Sequence, residues 1–564
     1  MRTEVEMAET MTGAQALAGA LLKMGASRIY GIIGTSNLGF VDALYDVKDD
    51  LRYISCRHEQ VAASMADTEG RLTGRPGVAL VHSGPGALNA MISAGNAYKD
   101  CSPFIIISGA VKRKLAGSDG MLELDHVRLF APLCKGTYRA DSAGEVTEVF
   151  ADAYRAAMSG ARGPVLIEVP EDVWGEQAEV DLGSMTLEAS TPREVDEADV
   201  RAAIEMLTTA RLPLILAGGG VAYSRSSGLL AEFAERLQVP VATTGNGRGV
   251  IPETHPLALG RAGFGGGNLV ADKALERADA LLCLGCGISD MTTYEYTLPL
   301  GMDRIIEVNI SGHQAPQEPA ADVVVCDVKE FLQKATAQLV GQAEPRTAWD
   351  EALQDARGTW EMMLGASLSR TGERPVGGHV AQRLANRLPD DAIICVGAGT
   401  HLLYAMDFIP SREPLTFMST VNFGSMGFGF AANMAARLVY PERSSIAMLG
   451  DGDFSMTLQD LETCVREDIG VKVFVINDSQ YRVLNMRQKL SFGGRVHGTE
   501  HGNADFAELA KSFGAVGLRL DREEKIDGVL DAAFAEDGPV VVDVIIDPED
   551  LPPLNLEATL RMSM

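Results

Sequence analysis

No run of this chain reaches 18 consecutive apolar residues, so no hydrophobic membrane span is expected from its sequence. The acidic N-terminal segment lacks the basic and apolar regions of a signal peptide. Basic charge is scarce as well. With 49 Lys and Arg against 77 Asp and Glu, the formal net charge is −28, which argues against a nucleic-acid or anionic-membrane partner. Only eight cysteines are scattered over 564 residues, too few and too dispersed for a disulfide framework. A reducing, cytoplasmic location is the corresponding expectation. Cys283 and Cys286 form a C-x-x-C, but no second pair stands at zinc spacing and the first lies in an apolar strand. There is no internal repeat of domain-building length and no clean G-x-G-x-x-G after a strand.

What is present is the length and apolar content of several cores. Short apolar runs alternate with helix-period segments, the pattern of doubly wound α/β domains with parallel sheets. In the first part the runs are 29–34, 52–55, 77–81, 104–108 and 165–169, with helices over 60–72 and 86–98. In the second they are 212–217, 239–243, 280–284 and 305–308. Residues 183–200, polar with mixed charge, and 341–375, charged and partly helical, read as linkers. Three domains are therefore expected, at 8–182, 195–340 and 376–550.

The chemistry concentrates in the third. An apolar strand, Ser445 to Leu449, runs into Gly450-Asp451-Gly452-Asp453-Phe454. A helix-period segment from Leu458 to Arg466 follows, then a second strand, Val471 to Ile476, and Asn477-Asp478-Ser479-Gln480. Parallel strands joined by one crossover place their ends side by side. Asp451 and Asp478 thus face one another. Two carboxylates and a backbone carbonyl, that of Gln480, suit a hard cation such as Mg²⁺, and the glycines let the backbone approach a diphosphate at a helix start. This arrangement resembles the thiamine diphosphate (ThDP) binding motif, GDG followed one crossover later by Asn or Asp. The family usually has Asn where Asp478 stands, so the metal shell here would carry one more negative charge.

Other segments extend the resemblance. Arg57-His58-Glu59-Gln60, at a helix start, looks like the segment whose glutamate hydrogen-bonds the cofactor's aminopyrimidine, which implies a catalytic Glu59. Gly424-Ser425-Met426-Gly427 resembles the stretch that bends the cofactor, with Met426 as the wedge and the Gly424 carbonyl as an acceptor. Gly397-Ala398-Gly399-Thr400-His401 resembles a loop that helps hold the diphosphate; His401 is equally readable as an ordinary polar residue at a helix start. His82-Ser83-Gly84-Pro85-Gly86 is similar to acetolactate synthases in its SGPG turn and to benzoylformate decarboxylase in its His, which implies acid–base work by His82. Thr35 and Ser36 fall on a substrate-side loop. Val483 and Leu484 would line the substrate pocket. Arg482 and Arg487, on the same helix, are candidates to bind an anionic substrate group.

The resemblance covers roughly 10–548. It implies a ThDP- and Mg²⁺-dependent carbon–carbon lyase or carboligase acting on a 2-oxo acid or aldehyde, working as a homodimer or homotetramer with sites at the subunit interface. Features also resemble sulfoacetaldehyde acetyltransferase, notably Phe492-Gly493-Gly494-Arg495-Val496-His497-Gly498-Thr499. Met121-Leu122-Glu123 lacks the Gln that acetolactate synthase uses. FAD is not expected, because Gly285 to Asp290 lacks the Arg that holds it there. A non-catalytic nucleotide- or CoA-binding protein of the same fold is the alternative of another class.

Overall fold

The computed structural model describes residues 8–263, 267–298, 300, 302, 304–312, 321–502 and 504–555. The chain divides into two compact units: 1–191 with 422–441 and 457–470, and 192–421 with 442–456 and 471–564.

The first unit is built on a six-stranded parallel sheet in the order Arg52–Ser55, Arg28–Gly31, Gly77–Val81, Phe104–Ala110, Pro164–Pro170, Gly136–Arg139. Phe104–Ala110 and Pro164–Pro170 are buried at every residue, which is why they read as unbroken apolar runs. One face packs on Leu17, Leu21, Phe40, Phe150 and Trp174. Another layer is the helix Glu59–Thr73, buried along all but its last residue. The helix Phe428–Val439 packs against it. Between them Arg71 lies 5.1 Å from the Phe428 ring and pairs with Asp67 and Asp100, so this buried cation is matched.

The second unit holds two six-stranded parallel sheets. The central one runs Ala258–Arg261, Val241–Thr243, Pro213–Ala217, Ala280–Leu284, Ile305–Asn309, Asp322–Val325; the other runs Phe417–Met418, Ile393–Val396, Ser445–Gly450, Lys472–Asn477, Val540–Ile545, Val516–Leu520. The three doubly wound α/β sheets thus appear in the expected order. The segment 341–375, expected as a partly helical linker, holds a 21-residue helix, Ala348–Leu368. Its Trp349, Leu353, Ala356 and Trp360 are buried at helical spacing, and Trp349 Nε1 donates to the Pro213 carbonyl at 3.1 Å. Dense charge on the opposite face hid that stripe. Gly218–Gly220 serves close backbone packing: a Cβ on Gly220 would lie 2.6 Å from the Gly285 Cα. No helix of the described residues is long and apolar enough to cross a membrane.

Candidate active site

Ser445–Gly450 and Lys472–Asn477 are hydrogen-bonded parallel neighbours with Gly450 opposite Ile476. Asp451 and Asp478 each follow the last residue of their strand and so leave the same edge of the sheet. Asp451 is buried; its Oδ1 accepts from the Gly452 N–H at 2.9 Å and its Oδ2 from the Ser479 N–H at 2.7 Å. Asp478 Oδ2 lies 2.9 Å from Arg482 Nε. His501 Nε2 stands 3.7 Å from Asp451 Oδ2, with its ring 5.0 Å from that of Tyr481. Burial pushes the Asp451 carboxyl up, against the pull of the Gly452 N–H. Burial likewise pushes Asp478 up to about 6; Arg482 opposes this and the neighbouring Asp451 charge adds to it. A cation would relieve both effects. Among the described residues no cluster of three or more His, Cys, Asp or Glu could hold a metal. An ion here would take two carboxylates and complete its shell with backbone and ligand oxygens, which fits Mg²⁺.

Beside this edge the turn 397–401 leads into the helix Thr400–Phe408. A Cβ on Gly397 would overlap the Asp453 carboxylate, and one on Gly450 would lie 2.9 Å from His401 Nδ1. Glycine is therefore required at both positions, and the backbone is left bare. His401 is buried, with Nε2 3.5 Å from Asp453 Oδ2, and burial holds its imidazole down to about 3. It is a neutral wall of the loop. In the unfolded chain the same imidazole takes its proton near 6.5. Its contribution to stability is complete above that pH and is lost as pH falls toward about 3. Between pH 7.5 and 5 the loss is about 2 kcal/mol. His401→Asn should remove that part of the pH dependence; urea unfolding at the two pH values reads it, and equal losses in variant and parent would contradict it.

In the first unit, Glu59 opens its helix behind His58, whose ring caps the Gln60 N–H at 3.1 Å. Glu59 is buried and its Oε2 accepts from Asn89 Nδ2 at 2.9 Å. A Cβ on Gly86 would lie 2.9 Å from Glu59 Oε1, so the SGPG turn makes room for this carboxylate. Gln60 Nε2 donates to the Met426 carbonyl at 2.8 Å, tying the half-buried Met426 beside the Glu59 helix start. Gly427 adopts φ +86°, a left-handed turn that favours glycine, while Gly424 is exposed. Asp460 went unrecognised in the sequence. Its Oδ1 accepts from the Arg57 N–H and from Thr463 Oγ1, both at 2.8 Å, across 403 positions in the first case.

His82 stands half-buried past its strand. Ser36 Oγ accepts from the Ser83 N–H at 2.9 Å and lies 2.7 Å from His82 Nδ1. Nδ1 also accepts from the Ser36 N–H at 3.4 Å, so the neutral imidazole carries its hydrogen on Nε2. Burial lowers the basicity of His82, with the charge of Glu59 opposing. Gly34 gives the ring space, since a Cβ there would overlap it. The turn is pinned from behind by His126, whose Nε2 accepts from the Gly84 N–H at 3.0 Å and whose Nδ1 lies 2.5 Å from Glu168. A lone His in sequence carries no sign of such a contact. Thr35 is exposed and Ser36, expected toward substrate, is buried against His82 and Trp174.

On the helix Arg482–Ser491, Val483 is half-buried, and Leu484 and Arg487 are exposed. Arg482, expected with Arg487 as a candidate for a substrate anion, is buried against Asp478 instead. The structure therefore groups Glu59, His82, Ser36, Gly424 and Met426 within one unit, and Gly399, Thr400, His401, Gly450 to Asp453, Asp478 and Gln480 within the other.

Three family models match this sequence: "Thiamine pyrophosphate enzyme, N-terminal TPP binding domain" over 11–129, the corresponding "central domain" over 200–335, and the "C-terminal TPP binding domain" over 397–544. A probable acetolactate synthase large subunit of Methanocaldococcus jannaschii is 32% identical, covering 96% of this chain and 93% of its own. An acetolactate synthase of Mycobacterium bovis is 34% identical over 95% of this chain and 88% of its own, and one of Arthrospira platensis is 30% identical over 96% of each.

Proposed function

This chain belongs to the thiamine diphosphate enzymes allied to acetolactate synthase, and on that premise we propose how its residues divide the work on a 2-oxo acid. It is a ThDP-dependent enzyme of carbon–carbon bond cleavage and formation. When bound, the cofactor supplies a nucleophilic carbon and an electron sink for decarboxylation. Asp451, Asp478 and the Gln480 carbonyl hold Mg²⁺, and Gly399, Thr400, Gly450, Gly452 and Asp453 border the diphosphate, with His401 as the wall behind. Glu59, oriented by Asn89, hydrogen-bonds the pyrimidine ring and moves a proton there. The Gly424 carbonyl and the Met426 side chain would border the cofactor's aminopyrimidine. His82 directs its Nε2 hydrogen toward the substrate, and Val483, Leu484 and Arg487 are the candidate substrate residues of the other unit. The working unit is a homodimer or homotetramer in which Glu59 of one chain serves the diphosphate residues of another.

The observation that carries this reading is the pair of carboxylates at adjoining strand ends, where burial and, at Asp478, the neighbouring Asp451 charge disfavour the ionised form that a cation would stabilise. The test is consumption of pyruvate, benzoylformate and sulfoacetaldehyde with ThDP and Mg²⁺, following CO₂ and product. Acetolactate from pyruvate is the expected result. No turnover, with nucleotide or CoA bound in place of ThDP, would point to a non-catalytic binder.

One observation favours a second reading, release of an aldehyde in the manner of benzoylformate decarboxylase. That is the Nε2 hydrogen fixed on His82 by Ser36. His82→Ala is expected to slow turnover about 10²-fold, the scale of a positioned proton donor. Unchanged kinetics on every substrate would place His82 among structural residues.

A further inference from the structure

Arg482 occupies a position that local physics disfavours. It is the first residue of the helix Arg482–Ser491, at the end where the helix dipole attracts anions and repels cations. It is also buried. A guanidinium out of water needs matched partners. Its partners are Asp478 Oδ2, 2.9 Å from Nε, and the Asp547 and Asp550 carbonyls, which accept from Nη2 at 3.2 and 3.3 Å. The side chain is thus held between the C-terminal segment and the sheet edge that carries Asp451.

The resemblance left one feature open at this edge: Asp478 stands where the resembled motif usually has a neutral Asn. We infer that Arg482 is the counter-charge for that substitution, so that Asp451, Asp478 and Arg482 together present the divalent cation with one net negative charge. The inference rests on the metal assignment proposed above. On this account Asp478 and Arg482 form a unit, and neither is neutral to change alone. An amide at 478 leaves a buried, unpaired guanidinium pushing on the cation. A neutral residue at 482 leaves two carboxylates that bind the cation more tightly. Changing both restores the charge balance.

The test is calorimetric titration of Mg²⁺ into the full chain saturated with ThDP, a readout of binding that does not depend on turnover. Relative to the parent, Asp478→Asn is expected to weaken Mg²⁺ binding at least tenfold, and Arg482→Gln to tighten it severalfold. The double variant is expected to return to within about threefold of the parent, because the two effects are coupled. Arg482 also ties down the 547–550 segment, so Arg482→Gln could fail to fold. Asp478→Asn keeps the shape and size of the side chain, and the inference stands or falls on it in that case: Mg²⁺ binding within threefold of the parent overturns it. So does a double variant no tighter than Asp478→Asn. If the parent itself takes up ThDP without regard to Mg²⁺, the metal assignment fails and the arginine's role falls with it. A parent that responds to Mg²⁺ beside variants that do not respond as stated removes the arginine's role alone.

Discussion

Glu59→Gln is expected to lower turnover by about 10²–10⁴-fold, the scale of a lost general acid–base group, while the fold and cofactor uptake persist. The substitution keeps the side chain's shape. The amide oxygen of Gln still accepts from Asn89 Nδ2, which now holds Glu59 Oε2 at 2.9 Å, so Asn89 keeps its acceptor. The space that Gly86 provides beside Oε1 remains filled. Only the capacity to take and return a proton is removed. The measurement is steady-state turnover beside circular dichroism and a ThDP titration. Full activity, or loss of folding, would count against the assigned role.

Asp451→Asn is expected to abolish Mg²⁺-dependent ThDP binding without collapsing the domain. Removing one partner of an enclosed charged contact costs about 2–5 kcal/mol, or roughly 30- to 5,000-fold in affinity. The Asn oxygen can still accept from the Ser479 N–H now held by Asp451 Oδ2, while the Gly452 N–H loses the acceptor it has in Oδ1. The same change relieves Asp478 of a like charge, an effect of opposite sign. The apo-protein is therefore expected to stay folded, while ThDP plus Mg²⁺ no longer raises its melting temperature. A variant that is stabilised by the cofactor as much as the parent would remove Asp451 from the metal shell.

The parts of the fold that were legible are those where one signal suffices. Phe104–Ala110 and Pro164–Pro170 are buried on both faces, so their apolar runs identify them without knowledge of their neighbours. Asp451 and Asp478 were legible as a pair because a parallel crossover fixes where the second strand must end. Helix within 341–375 was legible, but the packing of Ala348–Leu368 was not, because charge outweighs its narrow buried stripe. The contacts that orient the candidate site were not legible, because they join distant positions. Ser36 meets His82, His126 meets Gly84, and Asp460 meets the Arg57 backbone. Each is an isolated polar residue in sequence, and only the packed sheet gives it a partner. Arg482 shows the opposite case. Its spacing from Asp478 was visible, but its burial was not, and burial is what turns a candidate substrate ligand into an internal counter-charge.

The proposed role of Asp451 and Asp478 is to bind ThDP through a divalent cation. Equilibrium titration of the full chain with ThDP, once in Mg²⁺ and once in excess chelator, tests it directly. One ThDP per chain in Mg²⁺, with affinity at least 100-fold lower in chelator, is the predicted result; no binding in Mg²⁺, or equal affinity in both, would contradict it.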